Sequence, residues 1–218
     1  GELIALSGGD AGAANACFTC HGLDGWGDGA GTPRLAGLNA GYLEAQIRSF
    51  ADGRRRHDQM EWIARRLDAD DRLAVSAYYH AMDFRSLARR RSDGPRLYSS
   101  GDPGRGIPAC ATCHGLDGEG VGHGNPPLGG QPAPYLAAQL RAWRESTRRS
   151  DPGNQMLTIS QRLTPAEAEA LAAYAARLPG GLPNRESRAA SRAARRGDPR
   201  NGVSVPPRHG PEPGSEAR

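Results

Sequence analysis

The chain has four cysteines, and all four fall in two short strings, Cys17-Phe-Thr-Cys20-His21 and Cys110-Ala-Thr-Cys113-His114. Cys-x-x-Cys-His is the spacing at which two thiols form thioethers to one porphyrin while the next histidine binds its iron. On a helix, positions i, i+3 and i+4 share a face, so each string can meet one side of one haem. The competing chemistry is structural zinc, which takes four Cys or His ligands. Each string offers three donors, and the two would have to merge from separate helical contexts. The pattern therefore points to two covalently bound haem c groups. Cys17, Cys20, Cys110 and Cys113 are the expected thioether donors, with His21 and His114 on the irons.

A sixth ligand is expected from methionine. Met60 and Met156 each stand seven residues before a leucine, Leu67 and Leu163, that opens a helix. A lone methionine is usually a flexible core filler, and that reading suits Met82, which continues a Val75, Tyr79 stripe. Recurrence at matched positions points Met60 and Met156 to iron instead. Pro33 and Pro126 sit in Pro-x-Leu-x-Gly at equal distance from their histidines. Their carbonyls are placed to accept the histidine Nδ1–H and fix the ring. His57, His80 and His123 have no histidine counterparts and are expected on the surface or in packing. The "GRRRHD" run reads as a solvated loop, with partner orientation or propionate neutralisation as its alternatives.

These residues belong to a duplicated unit. A shift of 93 residues pairs Cys17 with Cys110 and runs unbroken to Gln46 and Gln139; beyond three inserted residues the shift becomes 96, pairing Tyr78 with Tyr174. Such repeats define the architecture before any other signal. Each repeat reads as three helices around glycine-rich loops, the first carrying Cys-x-x-Cys-His. In the second, Leu43, Ile47 and Phe50 match Leu136, Leu140 and Trp143 as one buried stripe. The third opens at Asp68 in one copy and, in the other, at Thr164 with Pro165 and Glu167 completing a capping box. No alternating strand pattern of useful length appears, so the fold is all-α. The domains are expected at 1–92 and 93–183, joined near residues 89 to 95. An Arg/Pro/Gly-rich tail at 184–218, poor in large apolar residues, is expected to be disordered.

Composition agrees with bound cofactors. Apolar residues are 37% of 218, with 30 glycines and 17 prolines, which is lean for two domains of about 90 residues. Large cofactors would complete the cores. All 28 basic residues are arginine. The net charge of +4 is concentrated in the tail, which suggests a docking arm for an acidic partner or an anionic membrane surface. No Arg-rich recognition helix or stacking platform supports nucleic-acid binding. No apolar run is long enough to span a membrane. The opening at Gly1 without a signal-like segment is as expected of a processed or trimmed form.

The chain resembles the periplasmic di-haem class I cytochromes c, most closely the cytochrome c4 type. The likeness rests on Cys-x-x-Cys-His-Gly in both halves, Pro-x-Leu-x-Gly, "YLEAQIRSFADGRRR" with "YLAAQLRAWRESTRR", the two methionines and "RGIPACATCHG". It implies two tandem class I cytochrome c domains facing each other across a pseudo-twofold axis. It also implies Tyr42 and Tyr135 among the cofactor-binding residues. The expected function is periplasmic transfer of single electrons from a respiratory donor to an acceptor such as a terminal oxidase. The alternatives are a cytochrome subunit of a dehydrogenase or oxidase complex and, less favoured, a di-haem peroxidase. The arginine-rich tail and the short N-terminus before Cys17 depart from the family pattern.

Overall fold

The first repeat contributes α1 (Glu2–Ser7), α2 (Phe18–His21), α3 (Ala40–Ala51), α4 (Asp58–Ala64) and α5 (Ala69–Ala81). The second contributes α6 (Arg96–Ser99), α7 (Cys110–His114), α8 (Ala133–Arg144), α9 (Gln155–Arg162) and α10 (Pro165–Ala176). This is a computed structural model, and it describes residues 1–84, 93–122 and 124–180. Among them there is no strand, only isolated bridges, and no helix long and apolar enough to cross a membrane. Most of the expected join at 89–95, the tail from 184 onward and His123 lie outside the described residues.

The three expected helices per repeat become five. The additions are a short helix ahead of each Cys-x-x-Cys-His string and a helix that carries each methionine. Local capping explains the longer ones. Asn39 accepts from Tyr42 N at the start of α3, and Asp68 accepts from Asp71 N at 2.8 Å at the start of α5. Thr164 and Glu167 form the full capping box of α10. In each repeat the long second helix packs on the last one, α3 on α5 and α8 on α10. Residues Gly1–Leu182 make one compact unit.

The two cores solve one packing problem in opposite ways. By the repeat offsets, Ala5 corresponds to Tyr98 and Tyr79 to Ala175. All four are buried, at 0%, 2%, 3% and 4% exposure respectively. The first core thus pairs a small residue on α1 with a large one on α5; the second pairs a large residue on α6 with a small one on α10. Tyr79 in the first core and Tyr98 in the second each lie edge-on to another tyrosine, Tyr78 and Tyr174, at centroid distances of 5.2 and 5.1 Å. Close packing at organic-crystal density makes such compensation necessary. Met82 lies against the first core, and its counterpart Leu178 is buried in the second.

Candidate haem sites and the joint between the repeats

The Gly-Leu-Asp-Gly segments fold back as rigid brackets. Gly25 and Gly118, both at φ 69°, use their carbonyls to hold the Pro-x-Leu-x-Gly loops. Gly25 O accepts from Leu35 N (2.7 Å) and Ala36 N (3.1 Å), and Gly118 O from Leu128 N (2.9 Å) and Gly129 N (3.0 Å). Two residues on, a Cβ at Gly27 would stand 2.2 Å from Thr32 O and 2.9 Å from Pro33 C. At Gly27 the missing side chain lets backbone approach backbone.

The brackets aim the proline carbonyls at the histidines. His21 Nδ1 lies 2.9 Å from Pro33 O and His114 Nδ1 2.9 Å from Pro126 O. A carbonyl can only accept, so each ring carries its proton on Nδ1 and keeps the Nε2 lone pair free for a metal. Both rings are buried, and burial pushes their pKa values down against the smaller opposing pull of the proline carbonyls. Neutral imidazole is the form that binds iron. Burial likewise pushes the Cys17 thiol up, and that of Cys110 to about 11. All four cysteines are free of disulfides.

Met60 and Met156 occupy the first turns of α4 and α9. Their backbones are held differently. Met60 N–H donates to His57 Nδ1 at 3.3 Å, which makes His57 the N-cap of α4. Met156 N–H donates to Asp151 Oδ2 at 2.7 Å, and the same carboxylate accepts from Trp143 Nε1 at 2.8 Å. His80 Nδ1 meets Leu38 O at 2.8 Å, a packing role. In the second repeat, Cys110, Cys113, His114 and Met156 line a single cavity of about 410 Å³, walled by apolar residues such as Leu136 and Leu171. Thioether donors, a neutral imidazole and a thioether on one apolar cavity fit a haem c. The first repeat's Leu38, Tyr42 and Gln46 line it as well.

The joint between the repeats reuses equivalent residues. Arg55 and Arg148, 93 apart, pair as an isolated antiparallel bridge. Arg56 N donates to Thr147 O at 3.0 Å and Arg149 N to Arg54 O at 2.6 Å. Arg55 donates to Gln46 Oε1 (3.1 Å), Tyr135 Oη (2.8 Å) and Gln139 Oε1 (2.8 Å). Arg148 returns the pattern to Gln139 Oε1 (2.8 Å), Tyr42 Oη (3.3 Å) and Gln46 Oε1 (2.9 Å). Their guanidinium carbons lie over the equivalent rings of Phe50 and Trp143, at 4.5 and 3.9 Å. Tyr42 and Tyr135 therefore serve the joint and also line the cavity.

The solvated-loop reading of "GRRRHD" is corrected at its centre. Arg55 is 7% and Arg148 3% exposed, and neither forms an ion pair among the described residues. Burial, then the neighbouring Arg55 charge, lowers the pKa of Arg148. Burial pushes the Tyr135 phenol up, but Arg55 and Arg148 outweigh it and bring it below its usual value. Gln46, Gln139, Arg55 and Arg148 were absent from the expected site, although their 93-residue register was a usable signal.

The brackets can be tested. Gly27→Ala adds a Cβ where the Pro33 segment must pass and places alanine at φ 74°, a strained conformation. We expect about 1 kcal/mol or more of lost stability, with altered His21 ring resonances and an unchanged second haem. Gly120→Ala should do the reverse. If both variants lose stability with no change at either histidine, the brackets are structural only.

Two brackets, each presenting a neutral buried histidine behind a Cys-x-x-Cys pair, define a helical c-type haem protein built twice. A cytochrome c family model matches residues 7–82 and 92–178. The chain is 43% identical to a thiosulfate dehydrogenase electron acceptor of Stutzerimonas stutzeri strain A1501, covering 82% of this chain and 86% of that one. It is 33% identical to a cytochrome c4 of Pseudomonas aeruginosa, covering 78% and 90%. Among solved structures, the thiosulfate dehydrogenase TsdBA of Marichromatium purpuratum matches with TM-score 0.73 and 44% identity over 84% of this chain; this chain spans 41% of that one. A cytochrome c4 of Pseudomonas stutzeri matches with TM-score 0.66 and 31% identity, covering 74% and 93%. The chain belongs to the cytochrome c family, in its di-haem, cytochrome c4-like branch. It carries two covalently bound haem c groups and is an electron carrier rather than an enzyme.

Proposed function

We propose that this chain is the electron acceptor of a periplasmic thiosulfate dehydrogenase and passes single electrons onward to a respiratory acceptor such as a terminal oxidase. The observation that carries the reading is the likeness to two proteins named thiosulfate dehydrogenase electron acceptor, at 43% and 40% identity over 82% and 76% of the chain. The cytochrome c4 relative of Pseudomonas aeruginosa is less similar, at 33%. Of the alternatives weighed on sequence, a cytochrome that works with a dehydrogenase is the one this likeness favours.

When bound, the haems supply the one-electron chemistry. The chain's own residues do the rest. Cys17, Cys20, Cys110 and Cys113 form the thioethers, and His21 and His114 ligate through Nε2. Met60 and Met156 would supply the sixth ligands, their thioethers favouring the ferrous state. With a histidine and a methionine offered to each haem, neither iron would be left open to peroxide. Arg55 and Arg148 are cations without a carboxylate partner among the described residues; Arg148 lines the cavity, and a haem bound there would bring propionates. We assign them as propionate counter-charges that also close the joint across which the electron moves.

The test is rapid mixing of the oxidised holoprotein with a thiosulfate dehydrogenase and thiosulfate, following haem absorbance. Reduction of both haems should be fast, saturate with enzyme, and slow with salt if exposed charges steer the encounter. Reduction no faster than in the enzyme-free control, while dithionite still reduces both haems, would remove the thiosulfate reading and leave the di-haem carrier intact.

A further inference from the structure

Arg34 is the most deeply buried charged side chain in the described structure, at 0% exposure. It sits in the first Pro-x-Leu-x-Gly loop, one residue beyond the Pro33 carbonyl that holds His21. From there it crosses to the equivalent loop of the second repeat. Nη1 donates to Ala36 O, within its own loop. Nη2 donates to Gly129 O at 3.2 Å, three residues beyond the Pro126 carbonyl that holds His114. The backbone is pinned as well: Gln131 Oε1 accepts from Arg34 N at 3.0 Å, and Gln131 Nε2 donates to Arg34 O at 2.9 Å.

Among the described residues the guanidinium has no anionic partner. It forms no ion pair among the described residues, and its Nε is buried without any hydrogen-bond acceptor. Its carbon lies 3.9 Å from the centroid of Phe84, whose ring stacks on Trp26 at 5.6 Å. Burial lowers its pKa to about 10, which still leaves it charged at neutral pH. A buried cation with no neutralising group among the described residues is costly, and a packed apolar residue would be the cheaper strut. The position also breaks the repeat, because the counterpart of Arg34 is Pro127.

We propose that Arg34 is a shared redox-tuning cation: a single buried charge, held between the loops that orient His21 and His114, which raises the reduction potentials of both haems together. A ferric haem carries one more positive charge than a ferrous one, so a fixed nearby cation disfavours the oxidised state of each. A unit charge on the order of 10 Å from a redox centre, at an effective dielectric of about 20, changes the ferric-to-ferrous ratio about tenfold. Being buried, this charge is screened little by salt, unlike the exposed arginines. The proposal rests on the two-haem reading and not on the identity of the electron donor.

The experiment is a spectroelectrochemical titration of holoprotein variants, after absorbance has verified that both haems are attached. Arg34→Met keeps the apolar packing, and Arg34→Gln keeps a donor for the loop carbonyls; both remove the charge. At fixed applied potential each should raise the ferric-to-ferrous ratio of both haems about tenfold, a downward shift of about 59 mV for a one-electron couple. The shift should persist at high salt. Arg34→Lys, which keeps the charge, should restore most of it. If either haem keeps its wild-type potential in both neutral variants, the proposal is overturned. Equal losses in the lysine and neutral variants would also overturn it, reducing Arg34 to a strut between the loops.

Discussion

Met156→Ala should remove half of the weak near-infrared absorption expected of ferric iron bound to thioether, and Met60→Ala should remove the other half. Each substitution should open one iron to carbon monoxide in the reduced state. It should also lower that haem's potential on the order of 0.1 V, a fraction of the roughly 0.8 V that axial ligands span. Met156 warrants the sharper forecast because Asp151 fixes its N–H and, through Trp143, ties its turn to α8. Met82→Ala is the control, since Met82 packs against the first core. A near-infrared band of full intensity in Met60→Ala would show that the sulfur ligand lies elsewhere.

The second large effect concerns stability. Tyr79→Ala alone should cost about 3–5 kcal/mol, the usual range for an aromatic truncated in a core. Ala5→Tyr alone should cost about 1–3 kcal/mol by overpacking the same space. Combined, the two substitutions recreate the arrangement of the second repeat, where Tyr98 and Ala175 share the core. The double variant should be more stable than the sum of the singles by about 2 kcal/mol, within the range found for residues in contact. Denaturant unfolding of the three holoproteins measures this. Strict additivity would mean that the two positions do not share a space and that the inversion between the repeats is coincidental.

That inversion also marks the boundary of what the sequence could show. The haem-attachment strings and the proline carbonyls were legible because their chemistry lies in local spacing and recurs at fixed register. The caps at Asp68 and Thr164 were legible for the same reason. The Ala5/Tyr79 exchange was hidden because its members follow two different offsets, and size compensation acts through space. Arg55 and Arg148 were hidden because an arginine run reads as solvated unless its acceptors are known. Those acceptors lie as far as 84 residues from Arg55, at Gln139, and 106 residues from Arg148, at Tyr42. The helices of Met60 and Met156 were missed because they are short, at 7 and 8 residues, and their flanks are polar.

The joint itself has a consequence for direction. Arg55 and Arg148 exchange partners reciprocally, as two identical copies would across a twofold axis. A pair of identical copies would have interchangeable ends, so an electron would meet the same landscape from either side. Linking the copies in one chain lets each half change without its twin. This chain shows such changes around the common joint: Arg34 against Pro127, Trp26 against Glu119, and His57 as the cap of one methionine turn where Asp151 holds the other. The joint preserves the contact between two equal halves, while these singular residues give the two halves unequal surroundings.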